Sequence, residues 1–246
     1  MKPFLLISTR DNDQAARAEY VSVARHAQLG RRDLVQVRLE TAPLTTFGID
    51  LAAFSGIFLG GSAFNVSDAD KSPLQERVED DLNLLIDKIV TRDLPFLGLC
   101  YGIGAMTSYL NGLVDRTYSE PVGAINITVT PSGRDDPLLE DLPASFEAFV
   151  GHKESCNGVP PGAELLATGE ACPVQMYRVG TNVYVTQFHP ELDADDLRDR
   201  MRIYKHVGYF RPEELEELAA MAKASGVDGS QHRLLANFTR RYTVAG

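Results

Sequence analysis

The centre of the sequence, residues 94–106, reads LPFLGLCYGIGAM. Residues 94–99 form a short apolar run of the kind that makes a buried strand, and residues 102–110 have helical composition. Cys100 stands where the strand passes into the helix, with a glycine two positions away on each side. Such a turn crowds the backbone, and the glycines relieve the crowding so that the side chain projects above the sheet. The stretch therefore predicts a strand–helix unit with a cysteine at its junction.

The segments before this unit alternate between strand-like and helical patterns. The predicted strands are residues 3–8, 34–39 and 55–59, the last closed by Gly60 and Gly61, and the predicted helices are residues 13–28 and 73–92. This alternation is typical of an α/β fold with a mostly parallel central sheet and helices on both faces. Right-handed crossovers then place a ligand site at the carboxyl ends of the strands.

The second half of the sequence changes character. Its short β-like runs, residues 123–130, 163–168, 174–179 and 183–188, are broken by Gly, Pro and Asn. Helical segments follow at residues 194–207, 212–224 and 230–242. Because there is no repeat, low-complexity segment or linker, we expect residues 1–246 to form one domain in which a few antiparallel strands extend the sheet.

Composition argues against several classes of protein. A formal net charge of −10 does not suit a general nucleic-acid binder, which needs a basic face. No apolar run is long enough to span a bilayer or to form the core of a signal peptide. The three cysteines are an odd number without a CxxC pair, which argues against a disulfide framework and a thiolate zinc site. The sequence predicts a cytoplasmic protein with no metal and no nucleic-acid or membrane partner.

Five histidines could exchange protons with Cys100, and His189 is the best placed of them. It ends a predicted strand and is followed by Pro190, which biases it towards an extended conformation. Side chains two residues apart then lie on the same side, so Glu191 can hold the imidazole tautomer that accepts from the thiol. Solvated surface positions in helices are expected for His26, His206 and His232.

Two of these stretches resemble the signatures of class I glutamine amidotransferases, in the family's order. They are residues 98–102, GLCYG, and residues 187–191, QFHPE. The resemblance is closest to the amidotransferase domain of GMP synthase and its free-standing relatives, and it extends over most of the chain. It implies a flavodoxin-like α/β fold, a catalytic set of Cys100, His189 and Glu191, and no cofactor.

Two further segments are similar to the same family. Residues 59–62, LGGS, resemble its glycine turn at the oxyanion hole, which implies that the N–H groups of Gly61 and Tyr101 bind the oxyanion. By the same match Gly60 lies on the substrate side. Residues 151–154, GHKE, fall where the family carries a His-x-Asp-like segment, so Glu154 and His152 are candidate substrate contacts. For the histidine, a loop position without a substrate role is equally consistent.

One position departs from the family pattern. The family continues its cysteine motif as Cys-x-Gly-x-Gln, and that glutamine helps to hold the substrate. Gly104 stands at this position here. The missing side chain makes Gly104 a candidate substrate-side residue and predicts a roomier pocket that could take a γ-glutamyl amine or peptide.

Three functions remain open at this level. In the first, the Cys100 thiolate attacks the γ-amide of glutamine or a γ-glutamyl compound, forms a glutamyl thioester and releases ammonia or an amine for a separate synthetase. A separate partner is implied because the sequence has no phosphate loop of the SGGxDS or GxxxxGK[ST] type. The second is a stand-alone γ-glutamyl amide or peptide hydrolase, which Gly104 favours. The third, a non-catalytic binding protein, is disfavoured by the intact catalytic set.

Overall fold

The computed structural model describes residues 2–206 and 208–243. The strands are β1 (Phe4–Thr9), β2 (Leu34–Arg38), β3 (Ile57–Ser62), β4 (Phe96–Leu99), β5 (Val114–Asp115), β6 (Glu120–Val129), β7 (Ser145–His152), β8 (Ser155–Cys156), β9 (Ala163–Thr168), β10 (Met176–Val179) and β11 (Val183–Thr186). The α-helices are α1 (Asp13–His26), α2 (Pro73–Thr91), α3 (Tyr101–Tyr109), the single turn α4 (Pro131–Arg134), α5 (Ala194–Ile203), α6 (Leu215–Ala224) and α7 (Arg233–Tyr242). Short 3-10 turns lie at Leu44–Phe47, Leu51–Ala53, Pro137–Leu139, Pro212–Glu214 and Ser230–His232.

Nine strands form one mixed sheet in the order β2-β1-β3-β4-β11-β10-β9-β6-β7. Neighbours from β2 to β11 run parallel, and neighbours from β11 to β7 run antiparallel. The predicted α/β sheet with extra antiparallel strands is therefore confirmed. Strands β5 and β8 form a separate antiparallel pair.

Both faces of the parallel half are covered. Every residue of β1, β3 and β4 is buried, as expected for strands between two helical layers. In β1, Phe4 and Leu6 pack with apolar residues of α1 and α7, whereas Leu5 and Ile7 pack with those of α2 and α3. A third apolar cluster joins Phe149 of β7 to α5 and α6. Helix α3 begins at the carboxyl end of β4, and α5 packs on β7.

The expected turn at the end of the third strand is wrong. Strand β3 continues through Gly60 and Gly61 to Ser62, which pairs with Thr9 of β1. A Cβ atom on Gly60 would collide with the carboxylate of Glu19, and one on Gly61 with the guanidinium of Arg10. Glycine is required at these positions because two buried side chains approach the strand there.

The helix predicted for residues 194–207 is shorter in the structure. Helix α5 ends at Ile203, and Val207 lies outside the described residues. Within residues 2–206 and 208–243, no helix has the length and apolarity needed to cross a bilayer.

Candidate active site

Cys100 lies at the junction of β4 and α3, in the sharp turn expected from the sequence. Its backbone has a φ of 52° and a ψ of −89°, a conformation that costs a residue with a side chain about 1–3 kcal/mol. Its N–H donates to the carbonyl oxygen of Thr186 on β11 at 2.8 Å. A Cβ atom on Gly98 would lie 3.1 Å from the Cα of Gly102, so glycine allows strand and helix to approach closely. The turn is held in its strained form by the neighbouring strand.

His189 and Glu191 follow the end of β11, the strand next to β4. The imidazole Nδ1 lies 2.8 Å from Glu191 Oε1, and the ring lines the same cleft as the side chain of Cys100. The N–H of His189 donates to the carbonyl oxygen of Phe149 at 2.9 Å, which ties this segment to β7. His189 is 6% exposed and Glu191 is 0% exposed. The structure therefore brings the three side chains together in the order Cys, His, Glu.

The pKa values of the buried pair move in opposite directions. Burial lowers the pKa of His189, but the charges of Glu191 and Cys100 and the hydrogen bonds to both raise it more, to about 9. Burial raises the pKa of Glu191, but the charge and hydrogen bond of His189 and the charge of Arg200 hold it well below its usual range. The site therefore favours an imidazolium ion beside a carboxylate at neutral pH.

Arg200 of α5 belongs to this set, although no motif pointed to it. Its Nη1 lies 3.0 Å from Glu191 Oε1 and 3.2 Å from His189 Nδ1. The only signal in the sequence is its spacing, because Arg200 falls between Leu197 and Met201 on the face of α5 that is otherwise apolar and buried. A cation on such a face needs a buried partner, and Glu191 is that partner.

The two N–H groups expected at the oxyanion hole differ in availability. Tyr101 opens α3, so its N–H has no acceptor within the helix. The N–H of Gly61 already donates to Glu19 Oε1 at 3.0 Å. The same carboxylate accepts from Arg10 Nε at 3.0 Å and from Ser8 Oγ at 2.7 Å. Of the two, only the N–H of Tyr101 can donate a hydrogen bond to an oxyanion without a change in the backbone.

Two clefts meet at Cys100. They share Ser62, Gly151 and Tyr209 as well as the cysteine. The first, named here the α5 cleft, has a cavity volume of about 60 Å³. It is lined further by Arg10, Gly61, Ala63, Val122, Val150, His189, Leu192, Leu197, Arg200, Met201, Tyr204 and Phe210.

The second cleft, named here the Glu154 cleft, has a cavity volume of about 20 Å³. It is lined further by Phe64, Asn65, Tyr101, Gly104, Val114, His152, Lys153, Glu154, Ser155 and Gln187. Three of the four expected substrate-side residues, Gly104, His152 and Glu154, thus line the same cleft. The fourth, Gly60, faces Glu19 instead.

The extra room expected at Gly104 is taken up by Glu154. A Cβ atom on Gly104 would lie 3.2 Å from Glu154 Oε1 and 3.5 Å from a methyl group of Val66. The two carboxylate oxygens of Glu154 accept from the N–H groups of Val66 and Ser67, each at 2.7 Å. The acidic side chain is therefore fixed across the space that a larger residue at position 104 would fill.

His152 supports this arrangement from behind. Its Nε2 lies 2.8 Å from Glu120 Oε2, and its Nδ1 lies 2.9 Å from the carbonyl oxygen of Glu154. Gln175 Nε2 donates to the same Glu120 oxygen at 2.7 Å. Both ring nitrogens have protein partners, which favours a positioning role for His152 over direct contact with a substrate.

Two more side chains flank the cysteine. Tyr209 lines both clefts, and burial, followed by the charge of Cys100, raises the pKa of its phenol to about 12. Gln187 is buried, with its Nε2 4.0 Å from Cys100 Sγ, and its Oε1 has no hydrogen-bond partner among the described residues. Gln187 belongs to the QFHPE stretch, whereas Tyr209 lies in a segment without any recognisable motif.

Two of the histidines expected at the surface form a partly buried pair instead. The rings of His26 and His232 stack with centroids 3.4 Å apart and planes 10° apart. His232 Nδ1 lies 2.7 Å from the carbonyl oxygen of Pro190, directly behind the His189 segment. Burial lowers the pKa of His232, and the charge of His26 lowers it further. The expected surface position is wrong for this pair and holds for His206, which is exposed.

In the part of the chain that the structure describes, two groups of His, Cys, Asp or Glu side chains have ligand-type atoms within 4.8 Å of one another. They are Glu120, His152 and Cys172, and His26, Asp193 and Asp196. In the first group the histidine and the glutamate are already bonded to each other. In the second, Arg25 Nη2 lies 2.5 Å from one carboxylate and 3.4 Å from the other. Internal hydrogen bonds and ion pairs explain both groups, and neither is assigned as a metal centre.

Comparison with known proteins confirms the resemblance seen in the sequence. The family described as glutamine amidotransferase class-I matches residues 19–202. The chain is 30% identical over 125 residues to a glutamine-hydrolysing GMP synthase of Thermosipho africanus, covering 50% of the chain and 23% of that protein. It is 32% identical over 161 residues to the one of Bacillus pumilus, covering 64% and 28%. The chain thus spans about a quarter of the length of these curated relatives.

Solved structures share the fold. A glutamine amidotransferase from Thermotoga maritima superposes with a TM-score of 0.77 at 18% identity, over 98% of both chains. A glutamine amidotransferase from Methylobacillus flagellatus superposes with a TM-score of 0.73 at 18% identity, over 100% of this chain and 97% of that one. Since the family match covers well over half of its residues, the chain belongs to the class I glutamine amidotransferase family.

Proposed function

We propose that the chain is a cysteine-dependent glutaminase that releases ammonia from the γ-amide of glutamine for a separate synthetase. The observation that carries the proposal is the strained turn at Cys100, which lines the same cleft as His189, whose imidazole bonds Glu191. The raised pKa of the imidazole supports a proton held on His189, ready for transfer to the leaving nitrogen. The likeness to glutamine-hydrolysing GMP synthases supports glutamine as the substrate and ammonia as the product passed on.

In the first half of the reaction the Cys100 thiolate attacks the amide carbonyl carbon. A carbon–sulfur bond forms, and the carbonyl electrons move to the oxygen. This oxygen accepts a hydrogen bond from the N–H of Tyr101. The N–H of Gly61 can join only after its peptide turns away from Glu19. His189 then gives its proton to the amide nitrogen, the carbon–nitrogen bond breaks, and ammonia leaves a glutamyl thioester.

In the second half His189 acts as a base. The neutral imidazole takes a proton from water, the resulting hydroxide attacks the thioester carbonyl, and the Cys100 thiolate leaves with release of glutamate. Glu191 stays ionised throughout and holds the ring in position, with Arg200 as its second partner.

Labelling with a glutamine-mimicking chloroketone, followed by peptide mass analysis, tests the nucleophile. We expect Cys100 to react fastest, because burial raises the pKa of the Cys156 and Cys172 thiols. Cys100→Ala should abolish ammonia release from glutamine, and Cys172→Ala is the control that should retain it. Ammonia release that survives Cys100→Ala would overturn the proposal, and an unreactive Cys100 would favour a non-catalytic binding protein.

A stand-alone γ-glutamyl amide or peptide hydrolase is the second candidate. The α5 cleft favours it, since apolar side chains beside His189 offer contacts to a substituent on the departing nitrogen that ammonia cannot make. Ammonia release from glutamine with and without candidate synthetases, measured against turnover of γ-glutamyl amides, separates the two functions.

A further inference from the structure

We infer that the α5 cleft is a leaving-group subsite for an uncharged, apolar amine, so that the chain also cleaves γ-glutamyl amides of such amines. The inference rests on the proposed attack by Cys100 and adds a class of substrate to it. In this reaction the carbon–nitrogen bond breaks, the nitrogen takes the proton of His189, and the free amine leaves in place of ammonia.

The position of the proton donor decides which cleft takes which half of the substrate. The acyl carbon stays on the Cys100 sulfur, and the departing nitrogen must lie within reach of His189. Among the described residues, Cys100 lines both clefts, whereas His189 lines only the α5 cleft. A substituent on the departing nitrogen therefore extends into the α5 cleft, and the glutamyl half lies in the Glu154 cleft.

The Glu154 cleft has the polar character that a glutamyl group needs. Its lining includes the carboxylate of Glu154 and the buried side chains of Tyr101 and Gln187. The Tyr101 hydroxyl and Gln187 Oε1 have no hydrogen-bond partner among the described residues. Buried polar atoms rarely remain unpaired, so these two atoms suit the polar groups of a bound amino acid.

The lining of the α5 cleft is mostly apolar. It includes Val122, Val150, Leu192, Leu197, Met201 and Phe210. Such walls stabilise an alkyl or aromatic substituent by removing its surface from water. They offer little to a charged leaving group, which would lose its hydration without gaining partners.

The two arginines of the α5 cleft do not change this conclusion. Arg10 Nε lies 3.0 Å from Glu19, and Arg200 Nη1 lies 3.0 Å from Glu191. Both carboxylates are fully buried, so each arginine is neutralised by its partner. A leaving group that carries a carboxylate would have to compete with Glu19 or Glu191 for an arginine that is already paired. An uncharged leaving group is therefore favoured.

A substituted amine has apolar surface that ammonia lacks, because ammonia is comparable to a water molecule, whose share of liquid volume is about 30 Å³. A benzyl or isobutyl group would contact the apolar walls that line the cleft beside His189.

A panel of four L-γ-glutamyl compounds tests the inference with the wild-type chain. They are glutamine, the γ-methylamide, the γ-benzylamide and γ-glutamylglycine. We expect kcat/KM for the benzylamide to exceed that for the methylamide and for γ-glutamylglycine by at least about tenfold, the discrimination that a pocket gains from a few methylene-sized groups. A benzylamide that is turned over no faster than these two compounds would overturn the subsite.

Phe210→Ala and Phe47→Ala provide a matched pair of variants. Both phenylalanines are partly buried, but only Phe210 is among the residues that line the cleft. Phe210→Ala should lower the ratio of kcat/KM for the benzylamide to that for glutamine by about fivefold or more, and Phe47→Ala should leave the ratio unchanged. An unchanged ratio in a folded Phe210→Ala protein would contradict the inference.

The panel also separates this inference from the proposed function. Turnover of glutamine with no preference for the benzylamide would overturn the subsite and leave the glutaminase in place. Turnover of the benzylamide without glutamine would overturn the ammonia-supplying role and keep the subsite. If no compound is hydrolysed and none acylates Cys100, both are wrong.

Discussion

Two buried carboxylates flank the nucleophile, and their surroundings are similar. Glu191 and Glu19 are each 0% exposed. Each lies 3.0 Å from an arginine, Arg200 in the first case and Arg10 in the second. Both ion pairs line the α5 cleft through their arginines. The Glu191–Arg200 pair and the Glu19–Arg10 pair therefore cannot be distinguished by their burial or their charges.

The two carboxylates differ in the groups that they bond besides the arginine. Glu191 bonds the imidazole of His189, which gains and loses a proton in the proposed mechanism. Glu19 bonds the N–H of Gly61 and the hydroxyl of Ser8, which keep their protons. The same pair of charges thus serves proton transfer on one side of the cysteine and holds the backbone on the other. Changes at Glu191 should appear in rates, and changes at Glu19 should appear in stability.

The largest effect is expected at the proton carrier. His189→Ala should lower the acylation rate by about a thousandfold or more, since it removes the proton donor for the departing ammonia. Rapid-quench measurement of the glutamyl thioester at fixed pH would show this. His232→Ala is a suitable comparison, because that histidine contacts Pro190 but does not carry the proton. An equal loss in both variants would mean that His189 acts only through the fold.

On the other side of the cysteine, Glu19→Ala should destabilise the chain by about 3–5 kcal/mol, because it leaves the buried guanidinium of Arg10 unpaired. Urea unfolding followed by circular dichroism would measure the free energy of unfolding. Glu164→Ala is the control, since that carboxylate pairs with Arg178 in a partly exposed position. A loss below about 1 kcal/mol at Glu19 would remove the distinction drawn between the two carboxylates.

Glu191→Gln should have a smaller kinetic effect than loss of the imidazole. The amide can still hold the His189 ring but no longer balances its positive charge, so we expect a loss in kcat/KM of about ten- to a hundredfold. Steady-state ammonia release at neutral pH would measure it. If the loss exceeds that of His189→Ala, the two roles are reversed.

The pH dependence of the free energy of unfolding tests the proton-carrying side of this comparison. The folded pKa of His189, about 9, lies above its unfolded value of about 6.5. The protonated ring therefore stabilises the fold fully below about pH 6.5, and this contribution, on the order of 3 kcal/mol, is lost as the pH rises through about 9. The free energy of unfolding should fall more between about pH 6.5 and about pH 9.5 in the wild type than in His189→Gln. Parallel curves for the two proteins would contradict the raised pKa.

The proximity of Cys100, His189 and Glu191 in the candidate site could be predicted because its signals are local. The glycines around Cys100 lie within two residues of it, and His189, Pro190 and Glu191 are consecutive. Short-range backbone rules are enough to place such residues. The parallel half of the sheet could be predicted for the same reason, since its strands are continuous apolar runs.

The supporting residues could not be predicted because distant elements supply them. Glu19 comes from α1, Arg10 from the end of β1 and Arg200 from α5, and they meet only through the order of the strands. The interpretation of Gly60 and Gly61 as a turn failed for this reason, since the side chains that demand glycine there lie some 40 to 50 residues earlier in the sequence.

The sequence also did not predict β7, the strand at the edge of the sheet, and the reason is different. Its outer face is covered by α5 and α6, so Phe149 and Val150 are both buried although they point to opposite faces. Burial on both faces removes the alternation of apolar and polar residues that marks an edge strand.

The backbone at Cys100 has a consequence for evolution and for protein engineering. Glycine adopts a positive φ without penalty, so Cys100→Gly should relieve about 1–3 kcal/mol of strain, partly offset by the greater freedom of glycine in the unfolded chain. Replacing the proposed nucleophile by glycine is therefore expected to stabilise the fold. Selection for thermostability alone would favour loss of the cysteine, and a screen for robust variants must also require thiol reactivity.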